Sequence, residues 1–229
     1  MPTLQQGLSV DRIPTTRYAN KVTETEPRHE SKTRLLDAAL YVIRAKGYAA
    51  TTVDDVCHRA GVTKGSFFHH FKSKDELALD AAAYWGTASQ ALFAAAPYRK
   101  LQDPLDRLLG YLDFRGESLQ GDLADYTCLA GTLVQEIYAT HADIREACRH
   151  VMSAHIADLT RDVEAAKKLY APRAKWRPES VGYFIQSVLQ GSFVFAKAKQ
   201  DTGVVRENLA HLRRYLEGLF AQPRKTKAK

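Results

Sequence analysis

The sequence predicts an all-α fold, with a small three-helix domain near the N-terminus and a larger helical domain after it. Apolar residues recur at spacings of three and four through most of the chain, which is the period of a helix that buries one face. Strict alternation, which would indicate strands, is scarce. Glycine and proline residues divide the remainder into about six more helical segments, and these residues are Pro97, Pro104, Gly121, Pro172, Pro178, Gly203 and Pro223.

The composition is that of an ordinary soluble protein with a basic balance. Of 229 residues, 45% are hydrophobic and 26% are charged, and no apolar run approaches the roughly 20 residues that cross a bilayer. The first residues lack the apolar core of a secretory signal, so we expect a cytoplasmic location. The formal net charge of +7 favours a polyanionic partner.

The residue types of common catalytic and metal sites are present without the spacing that such sites need. Cys57, Cys128 and Cys148 are widely separated, with no Cys-x-x-Cys pair and no histidine at zinc-ligand spacing. No Gly-x-Ser-x-Gly, P-loop or zinc-hydrolase pattern occurs. The sequence therefore predicts no disulfide, no metal site, no cofactor, no catalytic residue and no enzyme.

Residues 1–30 contain prolines and scattered basic side chains without sustained periodicity, which predicts a flexible basic arm. From Ser31 the pattern changes, because Leu36, Ala39, Leu40 and Ile43 recur at helical spacing. Lys46 followed by Gly47 is a helix-ending signal, so the first helix is predicted over 31–46.

Residues 52–71 predict a helix-turn-helix within a domain over 31–76. Thr52 and Asp55 have the spacing of a capping box, in which the hydroxyl and the carboxylate each accept a backbone N–H. Gly61 allows the positive φ of a sharp turn, and Thr63 is placed to cap a second short helix. Two short helices joined by a glycine turn form this motif.

The side chains of the second helix suit DNA better than they suit a protein core. Lys64 and Ser66 are polar groups near a helix N-terminus, where base edges of a major groove are approached. Thr52, Thr63, His70, Lys72 and Lys74 are expected to meet phosphate. For Phe67 and Phe71 core packing is the favoured interpretation, and Phe68 is open between packing and contact. The adjacent His69 and His70 point about 100° apart on a helix and are poorly placed to share a metal ion.

The run TRLLDAALYVIRAKGYAATTVDDVCHRAGVTKGSFFHHFKSKDEL, Thr33 to Leu77, resembles the N-terminal domain of the tetracycline-repressor (TetR) family of bacterial transcription regulators. The resemblance implies a homodimer on a palindromic operator, with a C-terminal domain that binds a small molecule. The family's aromatic position before His69 is commonly Tyr and is Phe68 here, so a tyrosine phosphate bond is lost. The implied DNA-contact positions are Thr52, Thr63, Lys64, Gly65, Ser66, Phe68, His69, His70 and Lys74.

The second domain is predicted over 77–222, and residues 223–229 form a basic tail. A long helix from Lys74 onward is implied by the resemblance to connect the two domains. The run CLAGTLVQEI, Cys128 to Ile137, resembles a stretch of one subgroup of the family. Apolar stripes over 178–199 and 204–220 predict the dimer bundle, by resemblance, and the alternative is that they close the core of one chain.

Polar residues within apolar stretches suggest a pocket for a small, largely apolar or electrophilic effector. Each has an alternative: Cys128 as a buried hydrophobe, His155 as a satisfied core histidine and Gln186 as a surface or bundle residue. No cation adjoins Cys128 in the sequence, which favours reversible binding. The predicted ligand-binding residues are Trp85, Phe114, Cys128, Thr132, Gln135, His155 and Gln186. An activator or architectural DNA-binding protein without a ligand remains the alternative function.

Overall fold

The computed structural model describes residues 27–221, and this part of the chain is helical without a strand. The predicted all-α fold is confirmed. The predicted arm (residues 1–30), apart from its last four residues, and the basic tail at 223–229 lie outside the described residues. The helices are α1 Pro27–Lys46, α2 Val53–Ala60, α3 Lys64–His70, α4 Lys74–Ala95, α5 Pro104–Glu117, α6 Leu123–Tyr126, α7 Leu129–Ile137, α8 Ala142–Tyr170, α9 Pro178–Lys199 and α10 Gly203–Phe220, with a 3₁₀ helix at Pro97–Lys100.

The N-terminal domain is built from α1, α2 and α3 around one apolar cluster. Ile43 of α1, Val56 of α2 and Phe67 of α3 are fully buried in it. Helix α1 begins at Pro27, earlier than the start predicted at Ser31. Phe71, just after α3, is also buried, so the packing interpretation of Phe67 and Phe71 is confirmed.

Helix α4 joins the two domains through its packing. Its first half contributes Leu77 and Ala81 to the N-terminal cluster, and its second half contributes Phe93 to a second cluster in the C-terminal domain. Ser73 caps the helix by accepting the backbone N–H of Glu76 at 3.1 Å. A single helix of 22 residues therefore spans both cores, and a tilt of α4 would move one domain against the other.

The C-terminal domain packs α5, α8, α9 and α10 around the second cluster. A buried carboxylate ties three elements of this domain together. Asp162 of α8 accepts hydrogen bonds from Arg99 of the 3₁₀ helix at 3.0 Å and from Arg107 of α5 at 2.8 Å. Two guanidinium groups satisfy a charge that would otherwise be costly to bury.

Helix α9 has apolar side chains on both its buried and its exposed sides, and α10 adds one exposed aromatic residue to its buried stripe. Leu212 and Leu216 belong to the apolar stripe over 204–220 that predicted a dimer bundle, and both are buried in the core of the chain itself. At these two positions the apolar stripe closes the core of one chain, which was the alternative interpretation, because this face of α10 packs inward. Another set of large apolar side chains on the same two helices is exposed: Tyr183, Phe184, Val194, Phe195 and Tyr215.

No helix among residues 27–221 is both long and apolar enough to cross a membrane.

Candidate DNA-binding surface and effector cavity

The capping box at the start of α2 forms as predicted. The Asp55 backbone N–H donates to Thr52 Oγ1 at 3.1 Å, and the Thr52 backbone N–H donates to Asp55 Oδ2 at 2.8 Å. The Lys46 ammonium, bonded to the same carboxylate, is the largest of the influences that hold the pKa of Asp55 well below its usual range. Thr52 therefore fixes the N-terminus of α2 while its side chain stays exposed.

The turn between α2 and α3 depends on Gly61. Its φ of 63° lies in the left-handed region, which a residue with a Cβ adopts only at a cost. The Val62 backbone N–H donates to the Cys57 carbonyl at 3.1 Å, and the Arg34 guanidinium of α1 donates to the carbonyls of Ala60 and Gly61. Helix α1 thereby fixes the angle at which α3 leaves α2.

The N-terminus of α3 presents polar groups at the surface. Thr63 caps the helix, since its Oγ1 accepts the Ser66 backbone N–H at 3.1 Å. Lys64 and Gly65 are exposed, and Ser66 is half-buried. Phe68 is 56% exposed and His69 is also exposed, so core packing is the wrong interpretation for Phe68. The face of α3 opposite Phe67 is thus available for contact.

Three cationic or titratable side chains around α3 already have partners in the chain. Lys64 pairs with Asp54 at 2.9 Å, and His70 Nε2 lies 2.7 Å from Ser31 Oγ. The Lys74 ammonium donates to the carbonyls of Tyr48 and Thr51, both at 3.1 Å, and lies over the Tyr48 ring. Lys72 is exposed. Lys74 accordingly shapes the loop before α2, and a phosphate would have to compete with two carbonyls for it.

A surface cavity of about 190 Å³ lies between α7, with the two residues before it, and the C-terminal half of α9. Three of the predicted ligand-binding residues line it: Cys128, Thr132 and Gln135. The remaining lining residues were not predicted, and they are Thr127, Gly131, Glu136, Gln190, Phe193, Val194 and Lys197.

Lys197 places a cation at the cavity that the sequence did not reveal. Its ammonium donates to Thr132 Oγ1 at 3.0 Å, and burial lowers its pKa. Cys128, which is half-buried, accepts the Gly131 backbone N–H at the N-terminus of α7. The expectation that no cation adjoins Cys128 is therefore wrong, because α9 brings Lys197 to the same cavity from a distant part of the chain.

Phe114, His155 and Gln186 lie elsewhere, in the core of the C-terminal domain. Gln186 Nε2 donates to the buried Tyr111 hydroxyl at 2.8 Å, and His155 Nε2 lies 3.0 Å from the same oxygen. Phe93 stacks against His155 with centroids 4.4 Å apart and meets Phe114 edge-on. Burial lowers the pKa of His155 to about 3, so the ring is neutral at pH 7. These contacts support the interpretation of a satisfied core histidine.

Trp85 lies at the contact between the two domains. The Arg44 guanidinium of α1 is 4.9 Å from the Trp85 ring centroid and also donates to the Asp125 and Thr127 carbonyls. The structure thus separates the seven predicted ligand-binding residues into three places, of which only one adjoins a described cavity.

No group of three metal-ligating side chains lies together among residues 27–221.

Comparison with known proteins shows similarity to bacterial transcription regulators. Residues 35–81 match the family model for bacterial regulatory proteins of the tetR family. The transcriptional regulator AcuR of Cereibacter sphaeroides is 29% identical over 174 residues, which cover 75% of this chain and 78% of AcuR. The HTH-type transcriptional regulator YerO of Bacillus subtilis is 39% identical over 57 residues, 25% of this chain and only 20% of YerO.

The fold of most of the described chain is also similar to that of a solved regulator. The crystal structure of regulatory protein TetR from Rhodobacter sphaeroides superposes with a TM-score of 0.73 at 24% identity, covering 81% of this chain and 98% of that one. The helix-turn-helix with a larger helical domain therefore defines a DNA-binding transcriptional regulator. Residues 35–81 carry the N-terminal domain of the tetR family of bacterial regulatory proteins, and the chain is similar to regulators of that kind beyond this domain.

Proposed function

We propose that this regulator is a cytoplasmic homodimeric repressor, released from a palindromic operator by a small-molecule effector. The exposed N-terminal face of α3 carries the proposal. Lys64, Gly65 and Ser66 stand there on a helix whose cap and entry angle are fixed by the chain's own hydrogen bonds. Helices presented in this way enter the major groove in helix-turn-helix proteins.

Thr63, Lys64 and Ser66, with Phe68 and His69, are the proposed contact residues of α3, and Thr52 positions the start of α2. Thr52 and Thr63 accept hydrogen bonds from their own helices, so they orient backbone N–H groups toward phosphate rather than reading bases. Lys64 forms an exposed ion pair with Asp54, and such a pair is weak. Its ammonium can therefore leave Asp54 and extend toward DNA. It is the proposed base-reading or phosphate-reading residue.

Dimerisation is proposed through the exposed apolar side chains of α9 and α10. The rings of Phe184 and Tyr215 contact each other with centroids 4.8 Å apart, so the two helices share one apolar patch. Tyr183, Val194 and Phe195 extend it along α9. Contiguous aromatic patches of this kind are typical of protein interfaces.

The effector is proposed to bind in the cavity lined by Cys128, Thr132 and Gln135. Thr127 also lines this cavity, and its buried hydroxyl oxygen has no hydrogen-bond partner among the described residues. A buried polar atom without a partner favours an incoming group that can bond to it. Lys197 adds a half-buried cation, which suits a ligand with an acceptor or an anionic group.

The test begins with selection of the preferred duplex from random DNA and measurement of its affinity by fluorescence anisotropy. We expect a palindromic site bound by two chains, and binding that weakens when a screened small molecule is added. Operator binding that no compound alters, with cavity variants Thr132→Val and Lys197→Met also without effect, would favour the alternative of a regulator without a ligand.

A further inference from the structure

Glu136 stands between the cavity and the DNA-binding domain. It lies near the end of α7, and its carboxylate accepts the Tyr48 backbone N–H at 3.0 Å and the Ala49 backbone N–H at 2.9 Å. Tyr48 and Ala49 form the turn after α1, which leads directly into α2. One side chain of the C-terminal domain therefore holds two backbone groups of the N-terminal domain.

The turn after α1 is shaped to receive this carboxylate. Gly47 has a φ of 87°, and a Cβ at this position would collide with Glu136 Oε1. The Tyr48 hydroxyl donates to Asp75, and Lys74 donates to the Tyr48 carbonyl. The same turn is thus linked to the start of α4, so its position bears on the connecting helix as well as on α2.

Glu136 also lines the cavity, together with Lys197 and Cys128. Burial lowers the pKa of Lys197, while the negative charge of Glu136 acts in the opposite direction. The Glu136 carboxylate therefore favours the charged form of Lys197, and a third charge in the cavity would interact with both side chains.

A second contact ties the same two regions together. Arg44, near the end of α1, donates to the carbonyl of Thr127, which lines the cavity next to Cys128. This hydrogen bond joins the rim of the cavity to the C-terminal end of α1, just before the turn that Glu136 holds.

We propose that Glu136 transmits the occupancy of the cavity to the DNA-binding domain, because one carboxylate both lines the cavity and holds the turn after α1. The inference rests on the proposed effector-controlled binding of DNA. A negative group in the cavity repels the Glu136 carboxylate and competes for Lys197, which disfavours the position that keeps Tyr48 and Ala49 in place. An occupant acts on DNA affinity only through such a difference between two states.

Cys128 allows the charge in the cavity to be set by alkylation of the full-length protein. Iodoacetate adds a negative carboxymethyl group and iodoacetamide adds a neutral carbamidomethyl group of nearly the same size. In each reaction the thiolate sulfur forms a bond to carbon, iodide leaves and the thiol proton passes to the buffer. Cys57 and Cys148 are buried, so alkylation is expected at Cys128, and mass spectrometry of the intact and digested protein checks which cysteine is modified.

The measurement is the affinity of each adduct for the selected duplex. We expect carboxymethylation to weaken binding at least about tenfold more than carbamidomethylation does, a coupling of ordinary size for linked sites. In Glu136→Gln, which keeps the shape and one acceptor oxygen, that difference should fall below about twofold. Glu146→Gln is the matched control, because Glu146 is an exposed carboxylate paired with Arg149 within α8, and it should leave the difference intact.

Three results overturn the proposal and separate it from other roles. If the two wild-type adducts bind the duplex equally, DNA affinity does not depend on the charge in the cavity. If the difference between the adducts persists in Glu136→Gln, a residue other than Glu136 transmits it. A Glu136→Gln protein that loses thermal stability but keeps the full difference has lost only a structural contact. If unmodified wild-type protein selects no DNA sequence, the proposed function itself has failed.

Discussion

Lys64 lies in the first turn of α3 with its ammonium 2.9 Å from Asp54, and both side chains are exposed. An exposed pair of this kind contributes little to stability, so its main consequence is to hold the lysine near the N-terminus of α3. An approaching DNA strand offers a stronger partner than Asp54, since guanine acceptors and phosphates both attract the ammonium.

Lys64→Ala should therefore weaken operator binding with little effect on folding. A loss of about 1–3 kcal/mol with relaxed sequence preference is expected if Lys64 contacts a base. If it contacts phosphate, all sequences should weaken about equally and the salt slope should fall by about one. Anisotropy titrations at several salt concentrations distinguish the two. Lys100→Ala, an exposed lysine of the 3₁₀ helix, is the control, and equal effects of both substitutions would remove Lys64 from the site.

His155 makes the stability of the C-terminal domain depend on pH. Burial lowers its pKa from 6.5 to about 3, so below pH 6.5 the unfolded chain binds a proton that the folded chain excludes. The resulting stability is fully present above pH 6.5 and is lost as the pH falls toward 3. Between pH 7 and pH 5 the loss should be about 2 kcal/mol.

Urea unfolding of wild type and His155→Gln at the two pH values, at one protein concentration, measures this effect. The variant should be less stable at pH 7, because the ring packs on Phe93 and meets Tyr111, but its stability should change less with pH. An identical pH dependence in both proteins would show that other groups cause it.

At the scale of elements, the angle between α2 and α3 is set by one glycine. Gly61→Ala places a Cβ at a φ of 63° and close to the Arg34 guanidinium. We expect a loss of about 1 kcal/mol or more, because the left-handed conformation is costly for residues other than glycine. Operator affinity should fall further than stability does, since α3 changes its direction.

Gly218→Ala is the matched control for this substitution. Gly218 is an exposed helical residue of α10 with open space around its Cα, so alanine should be neutral or slightly stabilising there. Thermal unfolding and operator binding compare the two variants. A Gly61→Ala protein that is as stable as Gly218→Ala and binds the operator as tightly would contradict the role given to the turn.

For the whole molecule, the parts that sequence could predict are those that local residues determine. Thr52, Asp55, Gly61 and Thr63 lie within a dozen positions, and capping boxes and glycine turns need only neighbours. The cavity could not be predicted, because Lys197 comes from α9 and meets Thr132 of α7 across 65 positions. Glu136 was within the recognised CLAGTLVQEI run, but its partners are backbone groups 87 and 88 positions away.

The same reasoning explains the error over Leu212 and Leu216. Helical periodicity shows that α10 buries an apolar stripe, but it cannot distinguish a face buried within one chain from a face buried between two chains. Phe184 and Phe195 can be separated from the buried apolar residues of α9 only through the packing of α9 against α8 and α10, which leaves these two side chains exposed.

Assembly gives the last prediction, which concerns the exposed patch of α9 and α10. Phe184→Glu with Phe195→Glu should convert the dimer to a folded monomer, because both rings are largely exposed and truncating central aromatic anchors costs interfaces the most. Leu169→Glu changes an equally exposed apolar residue near the end of α8 and should leave the dimer intact. Leu212→Glu should instead unfold the chain, since it buries a charge in the core.

Sedimentation at micromolar concentration with circular dichroism separates these outcomes. A monomeric wild type, or a Phe184→Glu and Phe195→Glu protein that remains dimeric, would require the interface to lie elsewhere. A palindromic operator is bound by the N-terminal domains of both chains of a dimer. The monomer should therefore also lose operator affinity while it remains folded.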